Sequence, residues 1–286
     1  MPTIGAHVSS QGGISSAFDR ALEIGAEAIQ IHPTPPQTWR RLHPDEAEVS
    51  AFRQRMTETS LDAFFFHAPY LINLATAKEA LLAQSRGSLR HHLEIANLLG
   101  VRGVIFHPGS HKGQGFEVVL PQMAEAMRWA LAETEGESLL IIENSAGSGA
   151  NIGSSFAQIR QMMEAVDHPR LRFCLDTAHA FTAGHDLRQP AARAGMVEEL
   201  GREIGFQRLA AIHANDSKAV FGSNVDRHQN IGDGEIGAEA FRWMLADPHL
   251  TLAPFILEVP GLEHQGPDRA NVERLRLLAG LPPLEA

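Results

Sequence analysis

Eight short apolar runs in this chain each deliver a histidine or a carboxylate near their carboxyl ends. His7, His32, His67, His107, Glu143, Asp176, His213 and Glu258 belong to the runs 3–8, 28–32, 63–68, 103–108, 138–144, 171–176, 209–214 and 254–259. A single such histidine is usually a hydrogen-bonded structural residue; eight at one end of successive runs call for a common purpose. Imidazole and carboxylate without thiolate suit Zn2+, and also accept Mn2+ or Fe2+. Two further groups sit between the runs. His179 follows Asp176 by three residues, in what reads as a loop, and Asp226 and His228 form a D-x-H pair whose side chains share one side of an extended segment. A carboxylate closing a buried run, as Asp176 does, is costly unless compensated, and a metal ion compensates it. His179, a short turn further on, is expected to serve a neighbouring ion. The donors outnumber the four to six ligands of one ion. A cluster of two or three ions sharing carboxylates is therefore expected. That arrangement suits phosphoester hydrolysis, where metals roughly 3.5–4 Å apart clamp the attacking and leaving oxygens.

The runs are rich in Ile, Leu, Phe and Val without alternation, as in strands buried on both faces of a parallel sheet. Helical spacing of apolar residues marks 13–25, 45–59, 78–100, 116–134, 155–166, 191–205, 237–246 and 267–281, with Gly25, Gly100 and Gly205 as stop signals. Eight strands alternating with eight helices predict an α/β fold, a (β/α)8 barrel forming one domain over 1–286. An open doubly wound sheet would usually carry a GxGxxG loop after its first strand, and GAHVSSQGG lacks that spacing. In such barrels the active site lies at the carboxyl ends of the strands, where the histidines and carboxylates fall.

Composition bounds the rest. With 44% hydrophobic residues, the 286-residue chain can bury a large core. Its one cysteine, Cys174, lies inside an apolar run and reads as a small core residue, so nothing points to an oxidising compartment. No leader pattern opens the sequence and no apolar run approaches the roughly 20 residues that span a bilayer, so a cytoplasmic, non-secreted protein without membrane association is expected. The formal net charge of −10 alone argues against nucleic acid, but it takes no account of bound metal. The basic residues are nearly all arginine, which suits either genome composition or phosphate contact.

The motifs GAHVS, HAPYLINLA, FHPGSH, IENSAGSG, CLDTAHAFTAGHD, HANDSK, VDRHQNIGDGEIG and ILEVP occur in order along the chain. In them the sequence resembles the endonuclease IV family of metal-dependent apurinic/apyrimidinic endonucleases. The resemblance implies a xylose-isomerase-like TIM barrel with three zinc ions, Mn2+ being an alternative at one or more sites. It implies that His67 and His107 hold the first ion and that Glu143 bridges to the second. Asp176, His213 and Glu258 would complete the second, and His179, Asp226 and His228 the third. Glu143 and Glu258 would then position the nucleophilic hydroxide. The implied reaction is cleavage 5′ to an abasic site in duplex DNA, leaving a 3′-hydroxyl and a 5′-deoxyribose phosphate, with 3′-end trimming as a second activity. Tyr70 and Leu71 match the residues the family inserts into the DNA stack. Gln37, in HPTPPQTWR, stands where the family carries an arginine that enters the DNA, with Arg40 and Arg41 as substitutes nearby. Lys218 and Arg227 are candidates for further phosphate contacts, although each alone reads as a solvated surface group. Three zinc ions would bring the net charge from −10 to about −4. A monomer with no obligate protein partner is expected.

Rival readings share part of this pattern. A single-metal sugar isomerase or epimerase needs Glu143, Asp176, His213 and Glu258, but not His67, His107, His179, Asp226 and His228. A UV-damage endonuclease would share fold and chemistry with a different lesion. A non-enzymatic binder has no use for so many converging donors. His91 and His92, in mid-helix, are expected at the surface or in capping roles.

Overall fold

The structure, a computed structural model, describes residues 1–284. Eight parallel strands close into a barrel: β1 (Ile4–His7), β2 (Ala28–Ile31), β3 (Ala63–His67), β4 (Gly103–Phe106), β5 (Leu139–Glu143), β6 (Leu171–Asp176), β7 (Leu209–His213) and β10 (Phe255–Leu257), with β10 pairing β1 and β7. Around it run α1 (Ser16–Ile24), α2 (Glu46–Glu58), α3 (Glu79–Leu99), α4 (Phe116–Ala132), α5 (Phe156–Val166), α7 (Pro190–Glu203), α8 (Ala238–Ala246) and α9 (Arg269–Leu278). The glycine stops act as read: Gly25, Gly100 and Gly205 adopt φ of 76°, 77° and 85°, the left-handed region where a Cβ is penalised.

Two additions break the strict alternation, and both serve the rim. A short helix α6 (Thr177–Ala183) starts directly at the end of β6, so His179 lies in a helix and not in the predicted loop. After β7 the chain forms a small antiparallel pair, β8 (Asp216–Ser217) with β9 (His228–Gln229). Its base is tied by the buried Asp216 carboxylate, which accepts backbone N–H bonds from Ser217, Gly232, Gly234 and Ile236. Gly234 must be glycine here, because a Cβ would lie 2.4 Å from that carboxylate.

Two apolar layers hold the barrel. One packs the strands' outer faces against the helices, with Phe18, Phe52, Phe64, Phe106, Phe173 and Phe241 among its fully buried side chains. The other fills the interior with Ala28, Phe65, Ile105, Ile141, Cys174, Ala211 and Ile256. Cys174 is thus a core residue, and burial raises its thiol to about 11, which keeps it protonated. Strand side chains alternate between faces, so the residue two beyond each interior member also points inward, one layer nearer the rim. From Phe65, Ile105, Ile141, Cys174, Ala211 and Ile256 that step lands on His67, His107, Glu143, Asp176, His213 and Glu258. From Ala28 it lands on Gln30.

Candidate metal centre

The nine predicted donors converge on this rim. Around Glu143, which is buried, His67 Nε2 lies 3.1 Å and His107 Nε2 3.4 Å from Oε2. On its other oxygen, Oε1 is 3.1 Å from His213 Nδ1, which is also 3.1 Å from Glu258 Oε2 and 3.9 Å from Asp176 Oδ2. Beside them, Asp226 reaches His179 Nε2 at 3.2 Å through Oδ2 and His228 Nε2 at 3.3 Å through Oδ1. The donor atoms of three overlapping sets lie within 4.8 Å of one another: His67, His107 and Glu143; Glu143, Asp176, His213 and Glu258; and Asp176, His179 and His228. In the last set Asp176 and His179 also come near enough to share an ion, besides the neighbouring-ion arrangement expected from the sequence.

Local structure explains the approach. Asp176 is the N-cap of α6: its Oδ1 accepts the His179 N–H at 2.7 Å, so the three-residue spacing is that of an N-cap and its N3 position. Its Oδ2 accepts from Asn215 Nδ2 at 2.7 Å. Four of the five histidines donate the nitrogen turned away from the cluster: His67 Nδ1 to the Ala68 carbonyl, His179 Nδ1 to that of Asn144, His228 Nδ1 to that of Glu258, and His213 Nε2 to Gln30 Oε1. Each bond fixes the tautomer and leaves the other nitrogen's lone pair facing the cluster.

The electrostatics call for cations. Burial lowers the His228 imidazole, but the Asp176 charge and the neighbouring Asp226 carboxylate outweigh it and raise the group to about 9. Burial also lowers His179 and His213, but Asp176, Asp226 and Glu143 around the first and Cys174, Glu258 and Glu143 around the second raise both well above the usual histidine range. Burial works against the Glu143 and Glu258 carboxylates, and the surrounding imidazoles still hold them well below theirs. Carboxylates so dense stay ionised only with positive charge between them, supplied by protons on the histidines or by metal. The donors fit metal better. Nε2 of His179 and of His228 are buried with no hydrogen-bond partner among the described residues, although Asp226 lies close.

A groove of about 750 Å³ opens beside the cluster, lined among others by His7, His32, Arg40, Tyr70, His228 and Glu258. A cavity of about 200 Å³ flanks it, touching Tyr70, His107, His179 and Asp226. Tyr70 borders both and is 60% exposed, while Leu71 is half-buried beside it. Gln37 is exposed outside the groove lining, whereas Arg40 is a basic residue of that loop that lines it. Lys218 and Arg227 are exposed on the β8–β9 connection and joined by a backbone bond of 2.8 Å. His32 is not among the clustered donors: burial and the neighbouring His7 and His67 lower it to about 2, and its Nε2 lies 3.3 Å from the Tyr70 hydroxyl. Sequence reasoning missed Gln30, Asn144 and Asn215, neutral residues in or beside donor positions. The repeated Asn after Glu143 and near His213, in IENS and HAND, was the available signal.

A closed parallel barrel whose carboxyl-end rim gathers imidazoles and carboxylates into adjoining sets is the architecture of a metal-dependent barrel enzyme. Residues 18–279 match the family described as xylose isomerase-like TIM barrel. A probable endonuclease 4 of Chloroflexus aurantiacus is 37% identical over 280 residues, covering 97% of this chain and 98% of its own. The crystal structure of endonuclease IV from Thermus thermophilus superposes with a TM-score of 0.84 at 35% identity, over 98% of this chain and 99% of that one. A D-tagatose 3-epimerase-like protein superposes with a TM-score of 0.67 at 18% identity, over 97% and 96% of the two chains, which shows the shared barrel alone. This chain belongs to the endonuclease IV family on the xylose isomerase-like barrel. No helix among the described residues is long and apolar enough to cross a membrane.

Proposed function

We propose that this chain hydrolyses the phosphodiester bond 5′ to abasic sites in double-stranded DNA, leaving a 3′-hydroxyl and a 5′-deoxyribose phosphate, and that it also trims blocked 3′ ends. The observation that carries the reading is the set of donors beyond a single-metal site. Glu143, Asp176, His213 and Glu258 would suffice for one ion, yet His67, His107, His179, Asp226 and His228 adjoin them. His67, His107 and Glu143 would hold a first ion, Glu143, Asp176, His213 and Glu258 a second, and His179, Asp226 and His228 a third. The donor set favours Zn2+ and tolerates Mn2+. When bound, such ions supply Lewis-acid activation of water and of the phosphoryl group at neutral pH.

The chain's own residues do the rest. Glu143 and Glu258, each with one oxygen 3.1 Å from His213 Nδ1, fix the spacing of the centre and hold the attacking water in place. Tyr70, exposed between the two cavities, fills the gap left by an extruded abasic nucleotide, with Leu71 beside it. Arg40 from the groove wall and Lys218 and Arg227 from the hairpin contact phosphates. The protein would act in the cytoplasm on nucleoid DNA, as a single-domain monomer without an obligate partner.

The test is a duplex carrying one tetrahydrofuran abasic analogue, which cannot undergo β-elimination. A single nick 5′ to the analogue with an extendable 3′-hydroxyl, lost on prolonged chelation, supports the reading. An intact duplex with metal confirmed bound sinks it and redirects the search to sugar substrates and UV lesions.

A further inference from the structure

We infer that Gln30 is a positioning residue of the metal centre: its one amide fixes which nitrogen His213 presents and where the Glu258 carboxylate points. The inference rests on the reading of the rim as a metal site, and it concerns a neutral residue that no ligand set includes. Gln30 is fully buried and occupies on β2 the inward layer that β3, β5, β6 and β7 fill with donors.

All its polar capacity is spent on the centre. Oε1 lies 2.8 Å from His213 Nε2, and Nε2 lies 2.6 Å from Glu258 Oε1 and 2.8 Å from His7 Nδ1. The orientation of the amide follows from these contacts. Were oxygen and nitrogen exchanged, the amide oxygen would face an ionised carboxylate oxygen at 2.6 Å, which nothing would compensate. Hence Oε1 accepts, and His213 must carry its hydrogen on Nε2. Its Nδ1 lone pair then faces Glu143 Oε1 and Glu258 Oε2, each 3.1 Å away. One amide hydrogen goes to Glu258 Oε1 and the other side of the amide nitrogen faces His7 Nδ1, itself 3.2 Å from that carboxylate oxygen, so Oε2 is the Glu258 oxygen left facing His213 Nδ1 and an ion. An apolar residue at this position would release His213 to the tautomer with hydrogen on Nδ1, which cannot ligate. It would also leave Glu258 Oε1 with His7 Nδ1 as its remaining partner. Partners of this kind around metal-ligating histidines typically contribute ten- to hundredfold in metal affinity.

The experiment uses the full-length protein, with Zn2+ affinities from competition with a chromophoric chelator and two-bond ¹H–¹⁵N spectra of histidine-labelled samples. In the parent protein His213 should show hydrogen on Nε2 and a metal-bound Nδ1. Gln30→Leu should weaken one ion per chain by ten- to hundredfold and give His213 a mixed tautomer, leaving the His179 and His228 signals in place. Gln30→Glu keeps the shape and the acceptor but loses both donors. It should retain the His213 tautomer and still lose affinity for the same ion, and it decides the matter if Gln30→Leu does not fold. Affinities within twofold of the parent, with His213 unchanged in Gln30→Leu, or in Gln30→Glu where that variant alone folds, would overturn the proposal. A parent protein that binds no metal at these residues would instead overturn the functional reading on which it rests.

Discussion

The side chain of Asn144 closes a ring with the backbone of Asp176: its Oδ1 accepts the Asp176 N–H at 2.6 Å and its Nδ2 donates to the Asp176 carbonyl at 3.0 Å. The pairing continues the β5–β6 ladder one rung past Glu143 with an amide standing in for backbone. Its effect is to fix Asp176, whose carboxylate both caps α6 and faces the ions, while the Asn144 carbonyl takes the His179 Nδ1 hydrogen at 2.9 Å.

Asn144→Ala removes both side-chain bonds and leaves two buried backbone groups unpaired. A loss of about 2 to 3 kcal/mol follows, and the melting temperature should fall by about 5 °C. Asn144→Asp should fare worse, since an acceptor replaces the donor to the Asp176 carbonyl and another charge joins the carboxylates. Calorimetry of the three proteins checks the order; equal melting temperatures for parent and alanine variant would remove Asn144 from the scaffold.

Removing metal should cost stability as well as activity. Glu143 and Asp176 are buried and Glu258 nearly so, and without ions they rely on protonated histidines for compensation. Ligand-linked stabilisation at a thousandfold excess over Kd is about 4 kcal/mol. Exhaustive chelation should therefore lower the melting temperature by on the order of 8 °C, and Zn2+ should restore it. A chelated protein that melts with the untreated one would contradict a resident metal.

The donors were legible because a barrel strand imposes a period of two and the rim collects one end of every strand. Residues 67, 107, 143, 176, 213 and 258 could be read without knowing any contact. What escaped had physical reasons. Gln30 occupies a donor position but carries no charge, so a search for ionisable groups passes to His32, which packs tilted against His7 and edge-on to His67 and joins no donor set. Helix α6 has seven residues, too few for apolar periodicity, and only the N-cap spacing of Asp176 and His179 betrays it. His91 and His92 are 6% and 4% exposed, against the expected surface placement, because the apolar face of α3 is wide enough to include them. His91 there donates Nε2 to the Leu42 carbonyl at 2.8 Å, tying down the loop that carries Arg40.

Arg40, rather than Gln37, should carry the cationic contact of that loop. Arg40 lines the groove, whereas Gln37 is exposed outside it. Arg40→Ala should raise KM for abasic duplex about tenfold and reduce the salt slope of binding by about 1. Gln37→Ala should change KM less than about twofold, as an uncharged group releases no counterion. Titrations at several salt concentrations separate the two, and the opposite ranking would refute the assignment.

His32 and Tyr70 should behave as one unit on DNA. With Nδ1 donating to the His67 carbonyl at 3.1 Å, His32 turns an Nε2 lone pair toward the Tyr70 hydroxyl. His32→Phe and Tyr70→Phe each break that contact while keeping the rings, so each should raise KM modestly and the double variant no further. A coupling energy of about 0.5 to 1 kcal/mol in the double-mutant cycle is expected; strictly additive effects would disconnect the pair.

His92 should make the fold acid-sensitive independently of the metal centre. Burial is the main cause that holds its imidazole down, to about 4, despite its Nδ1 bond to the Ser88 carbonyl at 2.7 Å. In the unfolded chain the group titrates near its ordinary value of 6.5. Between those values the unfolded state binds a proton that the folded state refuses, so stability falls as pH drops from about 6.5 to about 4 and levels off below. One proton gives a slope of at most about 1.4 kcal/mol per pH unit, a total on the order of 3 kcal/mol. His92→Gln removes the titration and should flatten the pH dependence of urea unfolding by about that slope in chelated protein. Parallel curves for parent and variant from pH 4.5 to 6.5 would show that His92 is protonated in the fold at no cost.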